Sequence, residues 1–177
     1  MKRNYVSEIK RSMEYLSKDK KTIFIGQAVD VPGNLIYKTL TSISSKKKIE
    51  TPIFEDTQMG IATGLSLGGF IPINCYPRFD FFILALNQFV NHLDKINHLS
   101  SNQFKPFVIN RVIVGAKKPL NGGLQHTMDY TEAMKKMLKF TDVVELKDSD
   151  KIFNSYVSAF RKKKNTLFVE YSEKYVD

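Results

Sequence analysis

Short apolar runs alternate with amphipathic stretches along most of this chain, and that alternation constrains its fold more than any other feature. Strands are predicted at Thr22–Gly26, 70–76, 106–114, 142–146 and Thr166–Tyr171, with a short extended piece at 50–55. Between them, apolar residues recur at the spacing of helices. Strands that alternate with helices build a mainly parallel sheet with helices on both faces, so the sequence predicts the α/β class.

The helical patterns cover six segments, and none of them is separated from its neighbours by a linker or a low-complexity tract. We predict helices at 5–16, 32–45, 58–67, 80–97, 130–140 and 149–163. A length of 177 residues corresponds to about one domain. We therefore expect a single domain over residues 1–177.

One edge of such a sheet is the expected place for a site. In open parallel sheets, ligands bind beyond the carboxyl ends of the strands. Three segments are predicted to reach that edge, because each follows a strand: the loop that holds Glu55, the turn at 76–81, and the long loop at 115–129 that holds His126.

Composition argues against several classes of protein. Cys75 is the single cysteine, which excludes an internal disulfide and argues against a zinc site. No apolar run approaches the roughly 20 residues of a membrane span, and the N-terminal segment lacks the apolar core of a signal peptide. We expect a soluble, cytoplasmic protein with no membrane partner.

The formal net charge of +9 raises the alternative of a basic α/β module that binds nucleic acid. The lysines are nevertheless scattered in four short clusters, where loops and helix ends are predicted. Cations are favourable at helix C-termini, so solvated faces explain the charge better than a nucleic-acid surface. A second role for the positive charge is to bind an acidic partner subunit. The chain also has no GxxxxGKS, no GxGxxG and no GxSxG sequence. It therefore lacks the phosphate-binding loops that the first two motifs form and the turn that carries the nucleophile of many hydrolases.

The segment from Glu50 to Ile73 (ETPIFEDTQMGIATGLSLGGFIPI) combines a Thr-Pro-Ile element, a carboxylate and a glycine-rich helix. It resembles the pyrimidine-binding domain of thiamine-diphosphate enzymes, above all the β subunits of 2-oxo-acid dehydrogenases and, more distantly, transketolases. The matching residues are Thr51, Pro52, Ile53, Glu55, Gly60, Gly64 and Gly69.

Two downstream segments extend the resemblance. Phe79-Asp80-Phe81 and the helix after it look like an aromatic turn of that family, and Gly122 to His126 (GGLQH) looks like its glycine loop ending in Gln-His. The match covers roughly residues 22–151. Order and spacing of the pieces make the set specific, although each piece is modest alone.

The resemblance implies that Glu55 is the acid that hydrogen-bonds a pyrimidine nitrogen of the cofactor and favours its base-competent tautomer. That role requires burial and a shifted pKa, and Ile53, Phe54 and Met59 are expected to supply the apolar surroundings. Spacing alone also allows an ordinary N-cap or first-turn glutamate. Cofactor contacts are expected from Ile53 and Tyr76 as well.

Further roles follow by the same resemblance. Phe81 is expected to pack on the pyrimidine, or else to be a core phenylalanine. His126 is expected near the reacting carbon as a catalytic and substrate-binding residue, with Gln125 beside it. Arg78 is expected to meet a substrate carboxylate or phosphate, or else to be solvated.

Four departures from the family pattern matter. Gly26-Gln27-Ala28 stands where the family has Gly-Glu-Asp, which puts an acidic contact in doubt, and Pro77-Arg78 alters the aromatic turn. The Gly-Asp-Gly signature of the diphosphate- and Mg²⁺-binding domain is missing, as is a transketolase-type C-terminal domain. We therefore expect no metal ligands here and a diphosphate-binding partner subunit, in an α2β2 assembly.

The resulting prediction is the pyrimidine-binding subunit of a heteromeric thiamine-diphosphate enzyme. It would act with its partner on a 2-oxo acid or a ketose, by decarboxylation or ketol transfer. The alternatives are a non-catalytic degenerate paralogue that serves as a partner subunit, and the basic nucleic-acid-binding module.

Overall fold

The computed structural model describes residues 4–118 and 121–175, and its centre is a six-stranded parallel sheet. The strand order is β2-β1-β3-β4-β6-β5, and all five pairings are parallel. The strands are β1 Thr22–Gly26, β2 Lys48–Glu50, β3 Ile71–Tyr76, β4 Ile109–Val114, β5 Asp142–Glu145 and β6 Thr166–Tyr171. The predicted α/β class is confirmed.

Eight α-helices and four other helical turns connect the strands in the described residues. The α-helices are α1 Tyr5–Ser17, α2 Leu35–Leu40, α3 Glu55–Leu67, α4 Phe79–Phe82, α5 Ile96–Leu99, α6 Leu124–Thr127, α7 Thr131–Met137 and α8 Ser149–Lys162. Single 3₁₀ turns occur at Ser45–Lys47, Ile83–Ala85 and Ser172–Lys174, and a π-helix spans Asn87–Leu93. No helix among the described residues is long and apolar enough to cross a lipid bilayer.

The two faces of the sheet carry separate cores because neighbouring side chains of a strand point to opposite faces. Ile109 and Ile113 pack on one face with residues of α1, α2 and α8. Val108 and Val112 pack on the other face with residues of α3, α4 and α7. The helices α3 and α4 and the side chain of Tyr76, which lie near Glu55, belong to this second face.

The first face also buries an ion pair at its centre. Arg111 donates from Nε to Oε1 of Glu170 at 2.7 Å, and both side chains are completely buried. Tyr156 donates its hydroxyl to the same oxygen at 2.8 Å, and the hydroxyl of Tyr175 donates to Oε2. A buried pair of this kind is costly to break because the remaining charge has no partner.

Several predicted helices have different bounds in the structure: α3 begins at Glu55 rather than at 58, and α7 covers only Thr131–Met137 of the predicted 130–140. The helix predicted at 32–45 covers only Leu35–Leu40, because Gly33 has a φ of +107° and Asn34 caps the helix by accepting the Tyr37 N–H. The helix predicted at 80–97 is irregular: it passes through 3₁₀ and π segments. Buried Asp94 lies at the end of the π segment and accepts three backbone N–H groups from residues 139–141.

The loops also differ in detail from the prediction. The strand predicted at 106–114 begins at Ile109, and the loop predicted at 115–129 contains the short helix α6. Pro119 and Leu120 of that loop lie outside the described residues. The strands Thr22–Gly26 and Thr166–Tyr171 have the predicted bounds.

Candidate functional site

The three segments that were predicted to share the carboxyl edge of the sheet come together there. Glu55 follows β2, the aromatic turn follows β3, and the loop with His126 follows β4. The rings of Phe81 and His126 meet edge to face, with centroids 5.4 Å apart and an interplanar angle of 82°. Gln27, which follows β1, donates its side-chain amide to Glu55. The site is therefore formed by loops from four neighbouring strands.

Glu55 is the first residue of α3, and only 4% of its surface is exposed. Its carboxylate lies where the helix dipole favours negative charge. The cap position belongs to Phe54 and has no side-chain hydrogen bond, so Glu55 is not an N-cap residue. Gln27 donates from Nε2 to Oε1 at 3.1 Å. Oε2 has no hydrogen-bond partner in the described part of the chain.

The loop that carries Gln27 is fixed by Glu50. The carboxylate of Glu50 accepts the backbone N–H groups of Ala28 at 2.6 Å and Asp30 at 2.8 Å. Ala28 has a φ of +62°, a conformation that is uncommon for residues other than glycine and that these bonds hold in place. The departure from the family at position 27 thus places an amide donor, rather than a second carboxylate, against Glu55.

Tyr76 holds the backbone of Glu55 in position. Its hydroxyl donates to the backbone carbonyl of Glu55 at 3.1 Å and accepts the side-chain amide of Asn74 at 3.2 Å. Burial raises the pKa of Tyr76, so the hydroxyl keeps its proton as a donor. The side chain has no exposed surface. In this structure Tyr76 positions the start of α3, and its contact with a cofactor stays a prediction.

Ile53 does not provide the predicted shield around Glu55. Its side chain is 81% exposed, because it precedes α3 in a segment that runs along the surface. Met59, one turn into α3, is completely buried, and Phe54 is half-buried. Helix packing therefore supplies the burial of Glu55, whereas Ile53 stays free to contact a ligand or a second subunit.

A buried polar network beneath the site was missed in the sequence. Gln58 donates from Nε2 to Oδ1 of Asn74 at 2.7 Å and to the carbonyl of Cys75 at 3.1 Å, and it accepts the hydroxyl of Thr51. Asn74 in turn donates to Asn110 at 3.0 Å. This network joins α3 to β3 and β4. In the sequence, this network was indicated by amide side chains at inward-facing positions of otherwise apolar strands.

The position of His126 requires glycine at two neighbouring residues, because a Cβ at either of them would lie too close to it. A Cβ at Gly115 would lie 1.8 Å from the carbonyl oxygen of His126, and a Cβ at Gly122 would lie 2.8 Å from the His126 Cβ. Nδ1 of His126 is buried and has no hydrogen-bond partner among the described residues. An imidazole without a partner can donate to, or accept from, a bound molecule.

Arg78 and Gln125, the other two predicted substrate residues, differ in their exposure. Arg78 is half-buried; its guanidinium donates to the carbonyl of Pro77 at 2.8 Å and passes close to Gly115. Gln125 is exposed on α6. Arg78 therefore lies at the same edge as His126, while Gln125 faces away from the protein interior.

The arrangement can hold a flat nitrogen heterocycle. A buried carboxylate with one free oxygen suits a ring nitrogen, and the half-buried Phe81 offers an aromatic surface for stacking. Within residues 4–118 and 121–175, no group of three His, Cys, Asp or Glu side chains is arranged to hold a metal ion.

Comparison with curated proteins gives relatives of one kind. The chain is 31% identical over 123 residues to the β subunit of the pyruvate dehydrogenase E1 component of Rickettsia conorii, which covers 67% of this chain and 36% of that protein. It is 24% identical over 128 residues to the β subunit of 2-oxoisovalerate dehydrogenase of Bacillus subtilis, with coverages of 70% and 38%. The chain thus spans little more than a third of the length of these relatives. No protein-family model matches it.

Solved structures share the fold at low sequence identity. A split-gene transketolase, solved as an inactive β4 tetramer, superposes on 93% of this chain and 50% of its own, with a TM-score of 0.62 and 15% identity. Benzoylformate decarboxylase from Polynucleobacter necessarius superposes on 98% of this chain and 33% of its own, with a TM-score of 0.65 and 14% identity. The predicted resemblance is confirmed: the chain is similar in sequence to 2-oxo-acid dehydrogenase E1 β subunits and has the fold of thiamine-diphosphate enzymes.

Proposed function

We propose that this chain is a pyrimidine-binding domain and that it serves as one subunit of a heteromeric thiamine-diphosphate enzyme. The observation that carries the proposal is the buried carboxylate of Glu55, which starts α3 with one oxygen held by Gln27 and the other free. The enzyme acts on a 2-oxo acid or a ketose, by decarboxylation or ketol transfer. The similarity to E1 β subunits supports this class of reaction.

Each site residue has a distinct task in this proposal. Thiamine diphosphate, when bound, supplies the thiazolium carbon that reacts with the substrate carbonyl. Glu55 holds a proton between Oε2 and a pyrimidine nitrogen, and Gln27 and Tyr76 keep its carboxylate and backbone in place. Phe81 packs against the pyrimidine ring. Ile53 contacts the cofactor from the exposed side.

His126 faces the substrate in the same proposal. Its unpartnered Nδ1 donates a proton or a hydrogen bond to the substrate oxygen where negative charge develops. Arg78 binds a substrate carboxylate or phosphate, because a guanidinium forms two parallel bonds to such groups. Gln125 is exposed and contacts the substrate from the rim of the site.

The diphosphate and Mg²⁺ are assigned to a partner subunit, since the chain has no Gly-Asp-Gly sequence. The exposed side of α3 suits that contact. Gly64 has no heavy atom within 4 Å of where its Cβ would lie, and Ile61 and Leu84 are exposed apolar residues. A partner helix could approach closely there and bury apolar surface. We propose an α2β2 stoichiometry.

The experiment that tests this proposal uses a candidate partner that carries Gly-Asp-Gly followed by the family's asparagine. Light scattering after gel filtration reports the assembly, and calorimetry measures thiamine-diphosphate binding with Mg²⁺ to this chain, to the partner and to the mixture. We expect an α2β2 species and strong binding only in the mixture. A stable complex that binds no cofactor would instead identify a non-catalytic partner subunit.

A further inference from the structure

A cavity with a volume of about 440 Å³ lies at the edge of the sheet opposite Glu55. Its walls come from residues that precede β4, β5 and β6 and from the end of the irregular helix: Asp94, Asn97, His98, Asn102, Lys105–Phe107, Phe140 and Lys163–Asn165. All strands are parallel, so these residues share the amino edge. A six-residue strand spans about 20 Å, which separates this cavity from the Glu55 site.

The cavity has a net positive charge, because three lysines and one carboxylate line it and one of the lysines, Lys164, pairs with Asp142. Lys105, Lys163 and Lys164 line it, and Lys105 and Lys163 have no side-chain partner in the described part of the chain. The one carboxylate in the wall, Asp94, is already occupied by three backbone N–H groups at 2.8–3.0 Å. A concave site lined by positive charges focuses the electrostatic field and attracts anions.

An aromatic platform forms another part of the wall. The rings of His98 and Phe140 stack with centroids 5.4 Å apart and an interplanar angle of 24°, and 36% of Phe140 is exposed. The ammonium group of Lys139 lies over the Phe140 ring, 5.7 Å from its centroid, and a ligand ring would take its place. Asn97 and Asn102 also line the cavity, and their side-chain amides make no hydrogen bond within the described residues. A planar ring that stacks on the platform would find donors and acceptors for its edge.

Two residues of the wall hold an uncommon backbone conformation. Asn102 and Lys163 have φ values of +65° and +50°, and Lys163 ends α8 at a position where glycine is usual. A left-handed conformation costs a lysine roughly 1 kcal/mol, and such conformations cluster at ligand-binding positions. Lysine at this position keeps a cation at the mouth of the cavity.

We propose that this cavity binds a nucleotide, a ligand that joins a planar aromatic ring to a phosphate or diphosphate. The phosphates bind Lys105 and Lys163, and the ring stacks on the platform of His98 and Phe140. The volume lies within the range of small-molecule sites. This site is independent of the proposed catalytic function, because no residue of the carboxyl edge takes part in it.

The test is calorimetric titration of ADP, with inorganic pyrophosphate as the anion-only probe, into the full chain without partner. The double variant Lys105→Gln/Lys163→Gln removes two charges from the cavity. Lys20→Gln/Lys136→Gln removes two charges from exposed positions elsewhere and is the matched control. Phe140→Leu removes the aromatic face, and Glu55→Gln reports binding at the opposite edge.

We expect ADP to bind one site with a Kd below about 1 mM, because two charge-assisted contacts and one stacked ring are available. Affinity should fall at least tenfold in Lys105→Gln/Lys163→Gln and less than twofold in the matched control and in Glu55→Gln. Phe140→Leu should weaken ADP but not pyrophosphate. Equal losses in the two double variants, no saturation by ADP, or equal affinity for ADP and pyrophosphate would overturn the proposal.

Discussion

Gly115→Ala should displace His126 and destabilise the protein. The added Cβ would lie 1.8 Å from the carbonyl oxygen of His126 and 2.9 Å from its carbonyl carbon. Ordinary carbon–oxygen contacts are about 3.3 Å, so the two segments must separate by about 1.5 Å. Both atoms belong to backbone, which cannot rotate away as a side chain can. Overpacking of this kind costs about 1–3 kcal/mol.

The matched control is Gly64→Ala, which makes the same chemical change on the exposed side of α3, where a new Cβ meets open space. Alanine is the better helix former, so this variant should gain about 0.5–1 kcal/mol. Urea unfolding measures both free energies. The imidazole NMR signals of the three histidines, with His126 assigned through His126→Gln, report the displacement.

Catalysis gives a second readout of the same displacement. A reacting group that moves by about 1 Å can lose about 100-fold in rate, so Gly115→Ala should lower turnover by that order in the partner complex. An unfolding free energy within 0.5 kcal/mol of wild type, together with unchanged His126 signals, would refute the contact on which the reasoning rests.

Three other changes test the surroundings of the site and the core. Tyr76→Phe removes the hydroxyl that binds the backbone of Glu55 and should cost about 1–3 kcal/mol in urea unfolding. Arg111→Met leaves Glu170 buried without its cation and should cost about 3–5 kcal/mol, with part of the loss recovered when Glu170→Gln is added. Hydrogen bonds from two lysine ammonium groups lower the pKa of Glu145 from 4.5 to about 2. Its stabilisation is therefore complete above pH 4.5 and is lost as the pH falls towards 2, and urea midpoints of Glu145→Gln should fall less than those of wild type over that window.

The parts of the fold that the sequence predicted well depend on local patterns. The runs at β1 and β6 are bounded on both sides by polar residues, which fixes their ends. The meeting of Phe81 and His126 follows from a topological rule, because loops after parallel strands share one edge. No distance between the two residues had to be known for that prediction.

The parts that were missed depend on how strands pair. The contact of Gln58 with Asn74 and Asn110 requires the register of β3 against β4, which no pattern within one segment reveals. The same holds for the bond from the Tyr76 hydroxyl to the backbone carbonyl of Glu55, which joins β3 to the start of α3. The π segment at Asn87–Leu93 also escaped, because its apolar spacing resembles that of an α-helix.

The central claim is that Glu55 activates the pyrimidine of thiamine diphosphate, and it is tested most directly by comparing Glu55→Gln with Asp56→Asn in the complex with the partner subunit. Both substitutions remove one carboxylate from the first turn of α3, which controls for the helix dipole. Turnover of a 2-oxo acid or ketose is measured together with assembly by light scattering. The account predicts intact assembly in both variants, at least a 100-fold loss of turnover in Glu55→Gln, and a change of less than threefold in Asp56→Asn. Turnover of Glu55→Gln equal to that of Asp56→Asn would contradict it.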